Sequence, residues 1–476
     1  MSETLPVSLC EGVRLLRDGD FSPLEWTRLC LERIAAMDGK LNCFLAVDSS
    51  GALAAAEASE NRHAAGRPLG ALDGVPIAIK DLIDLAGWPT TAGLRVPWRA
   101  KAARDAFLVG RLRGAGAVVL GKLNLHEAAM GATTDNPHYG KTGNPWRLDH
   151  TPGGSSGGSG AAVAAGLCAA ALGSDTMGSV RIPAAYCGVS GLKPTFGRIS
   201  LSGVTPLCWS MDTVGPLARE AGDLALVMEA MDGFDPEHPL ARAAPVDAGR
   251  RIREAFQPER AALGVMEGWG SGETEPEVLA AFDRALSVLA EAGCVIRRFP
   301  GEDLGLARRH GLVIIEGDAA RIHAERMAED PAQFGGDVRA QLTFGGGMEA
   351  GRLARAHEYR ERLRVRFERV LDQVDAVISP TAPQAPFAFG GEAPANQACF
   401  TAPANLCGLP SLSLPMGFDD AGLPLGLQLT GRAWEDQRLL ELGAFFQTLT
   451  DWHRRRPAMD SAPDSAPDSA PAADQS

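Results

Sequence analysis

The chain has 476 residues, and 46 Lys and Arg against 59 Asp and Glu give a net charge of −13. That length exceeds the roughly 250–300 residues at which one hydrophobic core stops growing, and 45% hydrophobic with 22% charged residues excludes a disordered chain. An acidic balance with no basic block argues against direct nucleic-acid binding, because neutralising phosphate takes clustered Lys and Arg.

In chain order, the start MSETLPVSLCEG lacks the charged and apolar regions of a signal peptide, and no run of about 18 apolar residues follows. A cytoplasmic protein without a membrane partner is expected. Nine cysteines, odd in number and without a CxxC pair, fit free thiols in a reducing compartment. Residues 1–65 read as a helical segment of the same domain. Ser22-Pro23-Leu24-Glu25 is a capping box with proline at the first helical position, and Leu29, Ile34 and Met37 follow at helical spacing. Gly74 to Asp81 and Gly116 to Gly121 read as short apolar strands. Residues 151–200 are dominated by Gly, Ser and Ala, with an Ala-rich helix predicted from Ser159 to Leu172. Residues 218–375 are mostly helical, with strand-like patches at 261–265 and 294–296 and an amphipathic helix from Arg352 to Asp372. Val377–Thr381, Leu412–Pro415 and Leu427–Leu429 return to the sheet. Short apolar strands separated by helices imply an α/β architecture with a largely buried sheet. The tail, 457–476, repeats Asp-Ser-Ala-Pro three times from Asp460 to Pro471 and is expected to be disordered.

Several motifs only look chemical. Gly116 to Lys122 resembles a phosphate-binding loop, but Leu123 follows where a hydroxyl must hold Mg²⁺. Gly154-Ser155-Ser156-Gly157-Gly158 matches a nucleophile elbow, yet Leu148 to Pro152 is no strand. Ser190 to Lys193 matches S-x-x-K without its partner motifs. The nine histidines include no H-x-x-x-H pair, so no metal site is expected.

Two features carry more weight. Only six of the 46 basic residues are lysine, and Lys80 ends an apolar strand. Desolvation there would lower its pKa and make it a base, whereas the plain alternative is a pair with Asp81 or Asp84. The run Gly153 to Ser159 and the turn Ser174 to Arg181 are rich in backbone N–H groups and carry serines, as an oxyanion pocket with a nucleophile requires. A linker and a phosphate cradle are the alternatives.

Taken together, Gly74 to Leu82, Gly153 to Leu167 and Asp175 to Phe196 resemble the amidase signature family. Gly121 to His138, Asn405 to Met416 and Gly426 to Arg432 resemble it too, so the likeness covers about residues 5–455. The resemblance implies a catalytic domain over 66–456, built on a central mixed β-sheet covered by helices on both faces. It implies Lys80 as base, Ser155 as bridging serine after a cis peptide bond, and Ser179 as nucleophile. Main-chain N–H groups of Thr176, Met177, Gly178 and Ser179 would hold the oxyanion, and Ser156, Asp175 and Arg181 would hold the two loops. No metal or organic cofactor is implied. The expected activity is hydrolysis of a small aliphatic, aryl or ureido amide, with that small molecule as partner, no direct nucleic acid, no membrane, and a homodimer as default. Two alternatives are the glutamine-hydrolysing A subunit of a tRNA-dependent amidotransferase, with partner subunits, and a non-catalytic scaffold. One departure stands out: the family has Gly-Gly before the nucleophile, and Met177 takes the first place. A positive φ there would strain it, and its side chain would narrow the acyl pocket. Residues around Ala129, Met130 and Gly131, with others from 310–400, are expected to line that pocket.

Overall fold

The computed structural model describes residues 5–241, 256–270 and 272–459. The repeat from Asp460 onward, predicted to be disordered, lies outside the described residues.

The short apolar runs become strands. They are β1 (Phe44–Val47), β2 (Pro76–Lys80), β3 (Val118–Leu123), β4 (Ala170–Asp175), β5 (Ser190–Lys193), β6 (Thr213–Ala218), β7 (Ala262–Glu267), β8 (Val295–Pro300), β9 (Ala376–Pro380), β10 (Ser411–Phe418) and β11 (Pro424–Thr430). Among the described residues they form one sheet in the order β1-β3-β2-β4-β6-β5-β10-β11-β9-β7-β8. The sheet is mixed: β2 runs parallel to β3 and β4, while β4 and β6, like β10 and β11, are antiparallel. Strands β2 to β6 are buried at every position, as expected of apolar and small residues covered on both faces. β8 at one edge is largely exposed and carries Arg297 and Arg298, charges that discourage edge pairing.

Strand periodicity shows why helices cover both faces. Gly426 of β11 lies against the helix Arg181–Cys187, and a Cβ there would stand 2.4 Å from that of Ala185. Its neighbour Leu427 pairs with Leu414 of β10, whose side chain therefore points the opposite way. On that opposite face Leu412 and Leu414 meet Gly443 of the helix Asp436–Leu449. The N-cap half of the predicted capping box is formed: Ser22 Oγ accepts from Glu25 N at 3.0 Å, and Pro23 opens the helix Pro23–Leu41. Among the described residues no helix is long and apolar enough to cross a membrane.

Two predicted elements are corrected. The segment 1–65 is not helical throughout, because Phe44–Val47 forms β1 and pairs antiparallel with β3. The Ala-rich helix does not reach Leu172; it covers Gly157–Ala164 and ends before Gly166, at φ +70°. Residues Ala170 to Leu172 then pair with β2 on one side and β6 on the other. Alanine favours helices, but hydrogen-bonded pairing with a strand on each side overrides that preference.

Candidate active site

Lys80 is the last residue of β2 and is 0% exposed. Its Nζ lies 2.7 Å from Ser155 Oγ, 2.8 Å from Ser156 Oγ and 2.9 Å from Ser174 Oγ. Burial pushes the ammonium down to about 7, with the negative charges of Asp175 and Asp212 acting against that shift. Neither acid proposed as a plain partner reaches it. Asp81 pairs with Lys122 at 2.7 Å, and Asp84 pairs with Arg99. A lysine ringed by three hydroxyls and poised near neutrality can take a proton from one of them once it loses its own.

The Ser155 loop is clamped at both ends by one hydroxyl. Thr134 Oγ1 donates to Gly153 O at 2.7 Å and accepts from Gly157 N at 3.0 Å. His126 N donates to Ser155 O at 3.0 Å, and the Gly154–Ser155 peptide is cis. Gly154 packs directly on main chain, where a Cβ would stand 2.6 Å from Thr133 N. Ser156 N donates to Ser179 O at 3.3 Å, which draws the two serine loops together.

Asp175 organises the second loop. As the end of β4 it accepts from Gly178 N at 2.7 Å and Val180 N at 3.2 Å. Arg181 reaches both its oxygens at 3.0 Å, and Asn405 Nδ2 donates to Oδ1 at 2.9 Å. Burial alone would raise this carboxyl; the charge and hydrogen bonds of Arg181, with Lys193 and Asn405, hold it well below the usual carboxylate range. Arg181 is fully buried and is held in turn by Thr401 O, Gln428 Oε1 and Asn405 Oδ1 at 3.0, 2.7 and 2.6 Å. The expected share of Gly178 in an oxyanion pocket is thereby corrected. Its N–H is turned onto Asp175, leaving those of Thr176, Met177 and Ser179. Positive φ falls on Gly178, at +126°, and not on Met177, so the expected strain at Met177 is absent. A side chain at Gly178 would also strike Thr401, 2.4 Å away.

Beside this turn lies a cavity of about 380 Å³, lined by Ser179, Thr176 and Met177 and, as anticipated, by Ala129, Met130 and Gly131. Ser179 is partly exposed, and its hydroxyl has no hydrogen-bond partner among the described residues. Met177 projects toward Gly311, where even a Cβ would come within 2.7 Å of its sulfur. Replacing Met177 with glycine is therefore expected to enlarge the cavity. The expected result is at least about a 10-fold gain in kcat/KM for bulky over small acyl groups, on the scale that one or two methylenes discriminate. Unchanged relative rates across an acyl series would refute it.

Sequence reasoning missed Ser174, Thr134, Asp212, Asn405 and Gln428. Ser174 had a signal, since it precedes the Asp175 turn; the other four touch the site only through contacts distant in sequence.

A family model described as Amidase matches residues 25–440. The chain is 38% identical over 489 residues to the A subunit of glutamyl-tRNA(Gln) amidotransferase from Roseiflexus castenholzii, spanning 96% of this chain and 98% of the relative. A solved chain from a vestigial protein complex, studied for the evolutionary origins of an s-triazine catabolic enzyme, superposes with a TM-score of 0.86. It is 34% identical and covers 93% of this chain and 98% of its own. The A subunit of glutamyl-tRNA(Gln) amidotransferase from Thermotoga maritima superposes with a TM-score of 0.76 at 30% identity, covering 91% and 94%.

The amidotransferase A subunits among these relatives overturn the expected partners, a small-molecule amide with no nucleic acid and at most a second copy of the chain. They belong to an enzyme named for a tRNA. A net charge summed over the chain neither excludes a local contact nor speaks to what an assembled enzyme binds. With the model spanning most of the chain and such relatives matching it end to end, the chain belongs to the amidase signature family, whose enzymes hydrolyse amide C–N bonds.

Proposed function

We propose that this chain is the glutamine-hydrolysing A subunit of a tRNA-dependent amidotransferase, with Lys80, Ser155 and Ser179 as its catalytic residues. The observation that carries the reading is 38% identity over nearly the whole of both chains to proteins named as that component. In this mechanism neutral Lys80 takes the proton of Ser155, whose oxygen stands 2.7 Å from Nζ. Ser155 takes the proton of Ser179, and Ser179 Oγ attacks the carboxamide carbon of glutamine. The N–H groups of Thr176, Met177 and Ser179 face the developing oxyanion, each such donor being worth about 3 kcal/mol in the transition state. The proton returns through Ser155 to the leaving ammonia, and water then releases glutamate from Ser179. Ser156, Asp175 and Arg181 keep the two loops in register. Partner subunits receive the ammonia and deliver it to the charged tRNA.

The cavity supports a zwitterionic substrate. Its wall carries charges of both signs, Arg308 and Glu316, beside Gln341 and Gln397 and the apolar Met130, Leu312 and Ile315. Gln397 is 6% exposed, and its Oε1 has no hydrogen-bond partner among the described residues, an acceptor suited to an ammonium. The second reading is a free-standing amidase for a small amide, and Met177 favours it by narrowing the acyl side of the cavity.

The deciding experiment is ammonia release from glutamine and from a panel of primary and ureido amides, by the chain alone and co-expressed with its co-purifying proteins. Glutamine turnover that depends on partners supports the amidotransferase reading. Fast turnover of a panel amide by the chain alone, with glutamine inert in every assembly, overturns it in favour of the free amidase.

A further inference from the structure

Asp212 takes no part in the proton relay, yet it is built into the site. It immediately precedes β6, whose Thr213 pairs with Asp175 and donates its hydroxyl to Asp175 O at 2.8 Å. That register sets Asp212 opposite Thr176, the first residue of the nucleophile turn. Asp212 Oδ1 accepts from Thr176 Oγ1 at 2.7 Å, while Oδ2 accepts from Leu207 N at 2.8 Å and Cys208 N at 2.9 Å. Thr176 and Leu207 both line the cavity, so one carboxylate, itself 7% exposed, joins two of its walls. Every contact it makes is as an acceptor. An amide of the same shape would turn an NH₂ group either on the Thr176 hydroxyl or on two main-chain N–H groups.

We propose that Asp212 is a positioning residue for amide hydrolysis: through Thr176 it holds the main-chain donors of the nucleophile turn in place against the Leu207–Cys208 wall. The role rests on Ser179 being the nucleophile but holds whichever amide is the substrate. Its charge has a second effect. Burial pushes the Asp212 carboxyl up to about 6, against hydrogen bonds from Thr176, Leu207 and Cys208, so the group is mostly ionised at neutral pH. In that form it helps Asp175 to favour the charged state of Lys80. Other ionisable groups facing this pair are the Cys208 thiol, Asp318, which accepts from Cys208 Sγ at 3.1 Å, and the buried His126.

The test reads the reactivity of Ser179 without presuming a substrate: the rate of its covalent modification by a fluorophosphonate, followed against pH. Turnover of glutamine by the assembled enzyme is measured in parallel. Asp212→Asn is expected to slow modification about 10- to 100-fold and to lower kcat by the same factor with KM little changed, the scale on which small misplacements act. Because one anion near Lys80 is gone, the acid limb of its pH profile moves to lower pH. Thr176→Val leaves the carboxyl in place and removes only the hydroxyl that holds it down; it should slow modification at least about 10-fold while moving the limb less than Asp212→Asn does, and Thr176→Ser should lose less than Thr176→Val. Wild-type modification rates in both Asp212→Asn and Thr176→Val would overturn the proposal, as would an unmoved limb in Asp212→Asn. Glutamine inert throughout, with the modification rates behaving as described, would count against the amidotransferase reading alone.

Discussion

Alanine at Ser179 is expected to abolish amide hydrolysis, lowering kcat by about 10⁴-fold or more, as removal of an acyl-forming nucleophile does elsewhere. The change deletes one oxygen that faces the cavity and has no hydrogen-bond partner among the described residues. What holds the turn is main chain and Asp175: Ser179 O still accepts from Ser156 N, and Gly178 N and Val180 N still donate to the carboxylate. The variant should therefore fold with a Tm close to that of the wild type, and its loss is chemical. Ammonia release and the mass of trapped acyl-enzyme check this together. Activity retained in a folded Ser179→Ala protein would mean that another group attacks.

Replacing Lys80 has the second large effect, and pH dependence identifies it. Lys80→Met keeps much of the buried stem but removes the base, and kcat should fall by about 10²–10⁴-fold, the usual worth of a general base. The neutral amine is the active form. Because burial pushes the folded value down to about 7 from the ordinary 10.5, kcat/KM should rise with pH through about 7 and level off above it. A guanidinium stays charged across that range, so Lys80→Arg should be inactive at every accessible pH. Stability carries the same signature. Between about 7 and 10.5 the unfolded chain binds the proton that the folded chain has released, so the free energy of unfolding gained from this group increases with pH across that window. Lys80→Met should flatten that slope. A rate profile with no step near 7, or an active Lys80→Arg, would remove Lys80 from the base role.

How far the site was legible depends on the range over which each feature is encoded. Lys80 could be singled out because it is one of six lysines in a chain that otherwise uses arginine, and because it ends an apolar run. The serine loops stood out through their glycines, which mark where backbone must approach backbone, as Gly154 does against Thr133. Both are local signals. The segment after Gly157 went wrong for the converse reason: alanine propensity describes an isolated helix, while Ala170 to Leu172 lie between β2 and β6. The status of Gly178 also escaped, since its spacing says nothing about whether its N–H turns outward or onto Asp175.

By itself, then, the sequence determined the layered α/β class, the order of the lysine and two serine motifs and the family they belong to, because short-range patterns of glycine, serine and apolar residues encode loops and strands directly. Only the tertiary structure decided that Ser174 completes the hydroxyl ring around Lys80, that Asp212 anchors Thr176, and that Arg181 is held by Gln428 from 247 residues away. The physical reason is that a hydrogen bond within a buried network is fixed by strand register and helix docking, which exist only once β4 has paired with β6 and the β10–β11 hairpin has closed over the helix Arg181–Cys187.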